Sequence, residues 1–203
     1  MKWRIITGAA LALAASNHAC LAFDPRYPDW PCEQPKVPEI SLAAVWAGPS
    51  LNDVQNKWKD DPKVSALVAK TAARRTPFDE AEKEVKGYLA SSADKATAGK
   101  IVFSGLFDTL NAERSSVMIG LERFMRKQRA AAQKIRDDTM ALQGLQNASS
   151  PDQDKIDQLS NQVLWETRIF EDRRHVVKYV CDVPTTIDQR LFALGRVIQQ
   201  ELE

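Results

Sequence analysis

Histidine and cysteine are both scarce in this chain, which contains two histidines and three cysteines among its 203 residues. If residues 1–22 are removed as a signal peptide, His175 is the only histidine and the two remaining cysteines are expected to be bonded to each other. A histidine-based zinc site and a cysteine–histidine catalytic dyad then lack the residues that they need, and the sequence contains no redox Cys-x-x-Cys motif. The sequence also contains no Gly-x-Ser-x-Gly elbow, no P-loop and no dinucleotide-binding fingerprint. We therefore predict no catalytic residue, no cofactor and no metal site.

Excess charge and long apolar runs are missing as well. The 28 basic and 27 acidic residues give a net charge of +1, so no overall positive charge attracts nucleic acid or anionic lipid. No apolar run approaches the roughly 20 residues that a membrane-spanning helix needs. Sustained strand-like alternation is absent, and apolar residues recur instead at helical spacing. These observations predict an all-α protein with no nucleic-acid partner and no integral membrane span.

The first 22 residues are typical of a signal peptide. Lys2 and Arg4 form a basic start, residues 5–15 are apolar, and small residues precede a cleavage site after Ala22. We expect the protein to be exported, to the periplasm in a bacterium and otherwise by secretion. Because residues 1–22 carry two of the basic residues and no acidic ones, the mature chain would have a net charge of −1.

Removal of the signal would leave Cys32 and Cys181 as the only cysteines. Two cysteines in an oxidising compartment are expected to form a disulfide, and its role is expected to be structural. The alternative is a lipoprotein, in which Cys20 would be retained and lipid-modified. Cleavage before Phe23 is favoured, because Asn17 differs from the Leu-like residue that lipoprotein signals carry three places before the cysteine.

Residues 23–50 form a proline-rich arm. Six of the ten prolines lie between Pro25 and Pro49. Proline fixes φ and restricts the residue before it, so an extended segment is predicted. Trp30 and Trp46 give this arm large apolar side chains. The favoured interpretation is that they pack on the protein's own helices, and the alternative is that they contact a partner.

The remaining residues, 51–203, are predicted to form a single all-α domain. A first helix is expected from Leu51. Two more are expected at Asp61–Pro62 and at Thr76–Pro77, where a capping residue precedes a proline. Small polar residues accumulate over 91–99 and predict a break there.

A long antiparallel helical hairpin is then predicted over about 104–180, turning near Ser149. Val183–Pro184 is expected to end its second helix. A capping box opens a separate C-terminal helix over about 186–202. The predicted architecture is a helical bundle built on this hairpin, preceded by the arm.

The seam of the hairpin is strongly amphipathic but imperfect. Apolar residues occupy nine of twelve core positions in the first helix, and Arg114, Gln128 and Asp138 occupy the others. Residue i of one helix should face roughly residue 299 − i of the other. Glu171 should therefore lie near Lys127, and part of the basic charge of the first helix should be neutralised within the hairpin.

A second apolar stripe lies beside the seam on each hairpin helix. Near the tip the shorter helices are not expected to reach these stripes, so part of them should be open to another chain. The stripe residues are Met118, Met125 and Ala132 on the first helix, and Trp165, Ile169 and Val176 on the second. The candidate partner-binding residues are Trp165, Ile169, Arg129, Arg168, Trp30 and Trp46.

We predict a non-enzymatic exported protein that acts through protein–protein contacts or self-association of the hairpin, as an adaptor, an assembly factor or a chaperone. The alternative is an accessory subunit of a periplasmic enzyme or envelope complex, held by the arm. A third possibility is an enzyme that uses carboxylate acid–base chemistry. Its candidates, Asp137–Asp138 and Glu171–Asp172, are helix neighbours that point about 100° apart. Asn147 lies in a glycosylation sequon, whose use depends on the organism.

Overall fold

The computed structural model describes residues 24–203, and the predicted signal peptide over 1–22 lies outside this range. Within the described residues the backbone forms five α-helices and one 3₁₀ helix, and no strand. The prediction of an all-α hairpin bundle with an N-terminal arm is confirmed. The elements are α1 (Leu42–Val45), a 3₁₀ helix (Lys57–Lys59), α2 (Pro62–Ala72), α3 (Phe78–Ala90), α4 (Lys95–Gln146) and α5 (Gln153–Leu202).

The two longest helices, α4 and α5, form the predicted antiparallel hairpin. They contain 52 and 50 residues, which corresponds to lengths of about 78 and 75 Å. Lys134 of α4 pairs with Glu166 of α5 at 2.8 Å, and the Gln128 side chain donates to the Phe170 carbonyl at 3.2 Å. These residue numbers sum to 300 and 298, so the predicted register is confirmed to within one residue.

The first hairpin helix begins earlier than expected, at Lys95. The predicted break within 91–99 is shorter because Asp94 caps the helix. Its carboxylate accepts a hydrogen bond from the Thr97 amide at 3.0 Å, which is ordinary N-cap chemistry. Val102, in the second turn, is fully buried and helps to hold this added length in place.

The predicted separation between the hairpin and a C-terminal helix is wrong, because α5 continues through Pro184. Proline inside a helix removes an amide donor and costs about 3 kcal/mol. Here Pro184 is buried, and the apolar stripe continues past it to Ile187 and Leu191, which are fully buried. Packing of this uninterrupted stripe offsets the local cost and keeps the helix intact.

The two short helices begin within one residue of where their capping signals predict. The Asp61 carboxylate accepts a hydrogen bond from the Lys63 amide at 2.8 Å, with proline in the first helical position. The helix α3 starts at Phe78, one residue later than its signal predicts, with Pro77 at the cap position. The Thr76 hydroxyl does not cap this helix and donates instead to the Lys70 carbonyl at 2.7 Å. These signals are local in sequence, and the structure follows them closely.

The helix predicted from Leu51 does not form as an α-helix. Residues 52–56 make consecutive turns, and Asn56 adopts a left-handed conformation with φ of 63°. A regular right-handed helix cannot pass through that conformation. Leu51 and Val54 are nevertheless buried, so their apolar spacing serves the core without a helix.

One cluster of buried apolar side chains joins the short helices to the base of the hairpin, meaning the end that contains the start of α4 and the end of α5. Gly105 permits close packing there, since a β-carbon would lie 2.7 Å from the Val68 side chain. The outer half of the hairpin has far fewer buried residues. The largest fully buried side chains are Phe103, Leu89, Leu106, Leu110, Ile187, Leu191, Leu194 and Ile198.

The arm runs antiparallel to α4 along one side of the hairpin. Its residue numbers rise while those of its α4 partners fall. The successive contacts are Asp29 with Arg126, Lys36 with Glu122, the Val37 carbonyl with Arg114, and Trp46 with Phe103.

The predicted Cys32–Cys181 disulfide is present and ties the arm to α5, with the two Cα atoms 5.5 Å apart. The Gln34 side chain also donates to the Cys181 carbonyl. The bonded residues are 149 positions apart, and the chain-entropy model gives such a loop about 5 kcal/mol of stabilisation. The disulfide therefore fixes the arm along the side of the hairpin.

Candidate interaction groove

Arg114, one of the polar residues in the seam, is buried where α4, α5 and the arm meet. Its guanidinium donates to the Val37 carbonyl at 2.7 Å and lies 2.7 Å from the Asp188 carboxylate. Burial raises the pKa of Asp188, and the neighbouring Arg114 charge opposes that rise. The role of Arg114 is therefore to join the arm to both hairpin helices.

The other two polar seam residues also find partners across the hairpin. Gln128 is buried and donates to the Phe170 carbonyl. Asp138 accepts hydrogen bonds from Lys134 at 2.6 Å and from Gln162 at 3.1 Å. These contacts align the two helices, which explains why the seam tolerates polar residues.

The arm covers part of the methionine stripe of α4. Met118 is buried beside Arg114. Met125 is partly buried and lines a cavity of about 450 Å³ next to Cys32 and Cys181, between the arm and the hairpin. The Met118 end of the stripe is therefore occupied by another segment of the same chain, whereas Met125 stays partly open.

Arg129 lies on the arm side of the hairpin as well. Its guanidinium donates to the Pro28 carbonyl at 2.9 Å and pairs with Asp29. The Arg129 side chain is 55% exposed, but it lies beside the arm, and its role in partner binding stays a prediction. The arm supplies the carboxylate that neutralises Arg129.

An apolar groove runs between α4 and α5 on the other side of the seam. Val117 and Phe124 precede the arm-facing Met118 and Met125 by one residue each, and therefore point about 100° away from them. Gly120 leaves open space, since a β-carbon there would meet no atom within 4 Å. This hairpin groove has a volume of about 300 Å³ and is lined by Val117, Gly120, Leu121, Phe124, Val176, Val177 and Val180.

The short helices cover the corresponding side of the hairpin at its base. Arg74, which follows α2, pairs with Glu113 of α4 at 3.0 Å. Arg190 of α5 donates to the Thr71 carbonyl of α2 at 2.8 Å. Glu113 lies about one turn before Val117 on the same face of α4. The hairpin groove therefore begins where the short helices end.

The hairpin groove continues toward the tip as an apolar stripe on α5. Trp165, Ile169, Val176 and Val180 recur at spacings of four, seven and four residues, which places them on one helical face. Trp165 is 63% exposed and Val176 is 54% exposed, whereas Ile169 is partly buried. Exposed apolar stripes of this kind are typical of interaction sites. Trp165 is open to solvent as expected, and its role in binding stays a prediction.

Basic side chains border the hairpin groove. Lys127 of α4 and Arg173 of α5 are exposed, and the observed register places these two positions opposite each other. Glu171, which was expected to neutralise Lys127, pairs instead with Arg174 of its own helix at 2.9 Å. Among residues 24–203, no carboxylate lies within 4.0 Å of the charged nitrogens of Lys127, Arg168 or Arg173. The groove therefore carries local positive charge.

Trp30 and Trp46 belong to the internal packing of the arm. Trp46 is 6% exposed, stacks on Phe103 with ring centroids 4.2 Å apart, and donates to the Pro49 carbonyl. Trp30 is partly buried and donates to the Gln34 carbonyl at 2.7 Å. The prediction that Trp46 binds a partner is corrected, because the core encloses its ring. The same prediction for Trp30 has no support.

The carboxylates considered for acid–base chemistry make ordinary surface contacts. Asp137 accepts a hydrogen bond from Gln133 at 2.8 Å, and Asp138 and Glu171 are paired with lysine or arginine. Residues 24–203 contain no group of three or more His, Cys, Asp or Glu side chains placed to hold a metal ion. No helix among them has the length and apolar character needed to cross a bilayer.

No protein-family model matches this chain, and neither a curated protein nor a solved structure shows significant similarity to it. The groove itself is therefore the feature from which a function can be inferred. Sequence reasoning identified its α5 side through Trp165 and Val176 but missed its α4 side. The missed signal was Gly120 between Val117 and Phe124, a glycine on an apolar face that leaves open space where a side chain would otherwise fill the groove.

Proposed function

We propose that this protein is a non-enzymatic exported protein that holds another polypeptide in the hairpin groove, as an adaptor, assembly factor or chaperone. The observation that carries the proposal is a change along one side of the hairpin. At the base that side is buried by α2 and α3, whereas Val176 and Trp165 farther out are more than half exposed. A partner chain would complete the packing that the short helices begin.

Two features support export. Residues 1–22 are typical of a signal peptide. The Cys32–Cys181 disulfide fits an oxidising compartment, because disulfides rarely persist in reducing ones. In a bacterium this compartment would be the periplasm.

The hairpin groove, and not the arm, is the better candidate for partner binding. The arm was the expected attachment point of an accessory subunit, but its contacts from Asp29 to Trp46 are made to its own hairpin. An accessory subunit would therefore hold its fixed partner in the groove. A chaperone of holdase type would use the same apolar surface for many clients.

Site-specific photo-crosslinking in the native compartment tests the proposal. A photoreactive residue in place of Val176 should form adducts with another polypeptide. The same residue in place of Gln143, which is exposed near the hairpin tip, should not. One dominant adduct would indicate an adaptor or accessory subunit, and many adducts would indicate a holdase. Equal adduct formation at both positions would contradict the proposal.

A substitution that fills the groove gives a second test. Gly120→Leu places a side chain in the groove and should improve helix stability, since glycine costs about 1 kcal/mol in a helix interior. Adduct yield at Val176 should fall at least tenfold. Gly144→Leu is the matched control, because a β-carbon at Gly144 also meets no atom within 4 Å but lies outside the groove. An unchanged yield with Gly120→Leu would rule out the groove.

A further inference from the structure

The base of the hairpin shows which kind of element packs on the side that carries the hairpin groove. There α2 lies against α4 through apolar residues at helical spacing. Val64, Leu67, Val68 and Thr71 of α2 are all buried, and they lie at relative positions i, i+3, i+4 and i+7. At the base, the side of the hairpin that carries the groove is therefore covered by an amphipathic helix.

The open part of the groove has the length of a helix. Its enclosed part extends along α4 from Val117 to Phe124, and the exposed stripe of α5 continues it to Trp165, which the observed register places opposite Ile135. That span of about 18 residues corresponds to about 27 Å of helix. A second amphipathic helix would fit this length beyond α2 and α3.

The charge of the groove differs from that of the base. At the base the hairpin contributes an acidic side chain, Glu113, which pairs with Arg74 of the short-helix segment. Beside the groove the hairpin contributes Lys127 and Arg173, which the register places opposite each other and which have no ion partner among the described residues. An occupant with carboxylates would neutralise them, whereas a second copy docked groove to groove would bring four positive charges together.

We propose that the occupant of the hairpin groove is an amphipathic helix of a different protein, with acidic side chains beside its apolar face. This inference rests on the proposed function and adds the chemistry of the partner to it. The apolar face would pack on Phe124, Val176 and Trp165, and the acidic residues would pair with Lys127 and Arg173. The charged pairs mainly select the partner, and the apolar contacts supply most of the affinity.

Two designed peptides test the inference with the full chain. Both contain 18 residues, with leucine repeating at the spacing of the buried residues of α2. One carries glutamate beside the leucine face, and the other carries lysine at the same positions. Fluorescence anisotropy of the labelled peptides should show that the acidic peptide binds at least tenfold more tightly, about 1.4 kcal/mol. Its affinity should fall as salt is added, because screening weakens the charged pairs.

Charge-reversed variants locate the effect. The double variant Lys127→Glu with Arg173→Glu should reverse the preference between the two peptides. The matched control is Arg136→Glu with Lys155→Glu, which changes the net charge equally at two exposed positions. Arg136 is nine residues from Lys127 and therefore lies on the opposite face of α4, and Lys155 lies near the hairpin tip. The control should leave the preference unchanged. Gly120→Leu should weaken both peptides.

Each alternative has its own result. Equal affinity for the two peptides, lost in Gly120→Leu, would overturn the acidic partner but leave the groove and the proposed function intact. Failure of both peptides to bind would overturn this inference, and the photo-crosslinking at Val176 would decide the proposed function separately. Sedimentation that shows self-association strengthened by salt would indicate a second copy. Binding to phosphatidylglycerol vesicles without binding of the acidic peptide would indicate a lipid surface.

Discussion

The base of the hairpin and its outer half consist of the same two helices, but they are packed very differently. At the base, Phe103, Leu110 and Leu191 are fully buried in the cluster that joins the hairpin to the short helices and the arm. On α5 between the tip and Cys181, Ile156 is the only residue classed as buried. The difference shows that an amphipathic pattern provides a surface for packing, and that the number of neighbouring elements decides how much of it is buried.

The two sides of the outer half differ in a similar way. On one side the arm contributes Asp29, Lys36 and the disulfide, and it pairs with Glu122 and Arg126. On the other side the hairpin groove has no covering segment among residues 24–203. One side is thus completed within the chain, and the other is the side on which we place a partner.

The largest expected effect comes from truncating the core at the base. Phe103→Ala should lower the free energy of unfolding by about 4 kcal/mol, because it leaves a cavity beneath Trp46. Phe124→Ala in the groove is the matched change, and it should cost about 1 kcal/mol because Phe124 is only partly buried. Urea denaturation measures both values. Similar losses for the two variants would show that the outer half is packed as tightly as the base.

A smaller effect is expected when the arm is released. Replacing both Cys32 and Cys181 with serine should lower the free energy of unfolding by about 3 kcal/mol, which is typical of disulfides. This is less than the value of about 5 kcal/mol from the chain-entropy model, because an unfolded chain that retains some structure regains less entropy than the model assumes. Hydrogen exchange should increase along the arm, whereas binding of the acidic peptide at low temperature should persist. Equal melting temperatures for the wild type and the double serine variant would show that the arm is held by its polar contacts alone.

The smallest stability effect is expected in the groove stripe. Trp165→Ala should change the free energy of unfolding by no more than about 0.5 kcal/mol, because the side chain is mostly exposed. Peptide affinity or adduct yield should nevertheless fall at least tenfold, about 1.4 kcal/mol, since exposed tryptophans often dominate interfaces. A loss of 3 kcal/mol or more in stability would mean that Trp165 is part of the core.

Local signals in the sequence were sufficient for many elements and failed at specific places. Asp61–Pro62 marks the start of α2 correctly, because capping depends on neighbouring residues. Pro184 gave a wrong prediction, because a proline usually ends a helix. Here the free-energy cost of the proline is outweighed by burial of the helix on both sides of it. The turns after Leu51 were missed because Asn56 adopts a left-handed conformation that the sequence only weakly indicates.

The sequence by itself determined the helical class, the hairpin, its register and the disulfide pairing. Apolar periodicity and complementary positions across one seam specify the helices and their register, and the cysteine count specifies the pairing. These features require few decisions among contacts between residues far apart in the chain. Only the tertiary structure decided which stripes are covered. Met118 and Trp165 both lie beside the seam, but the disulfide-held arm buries Met118, whereas Trp165 remains exposed. The path of the arm depends on contacts between residues far apart in the chain, and periodicity within a single helix contains no information about them.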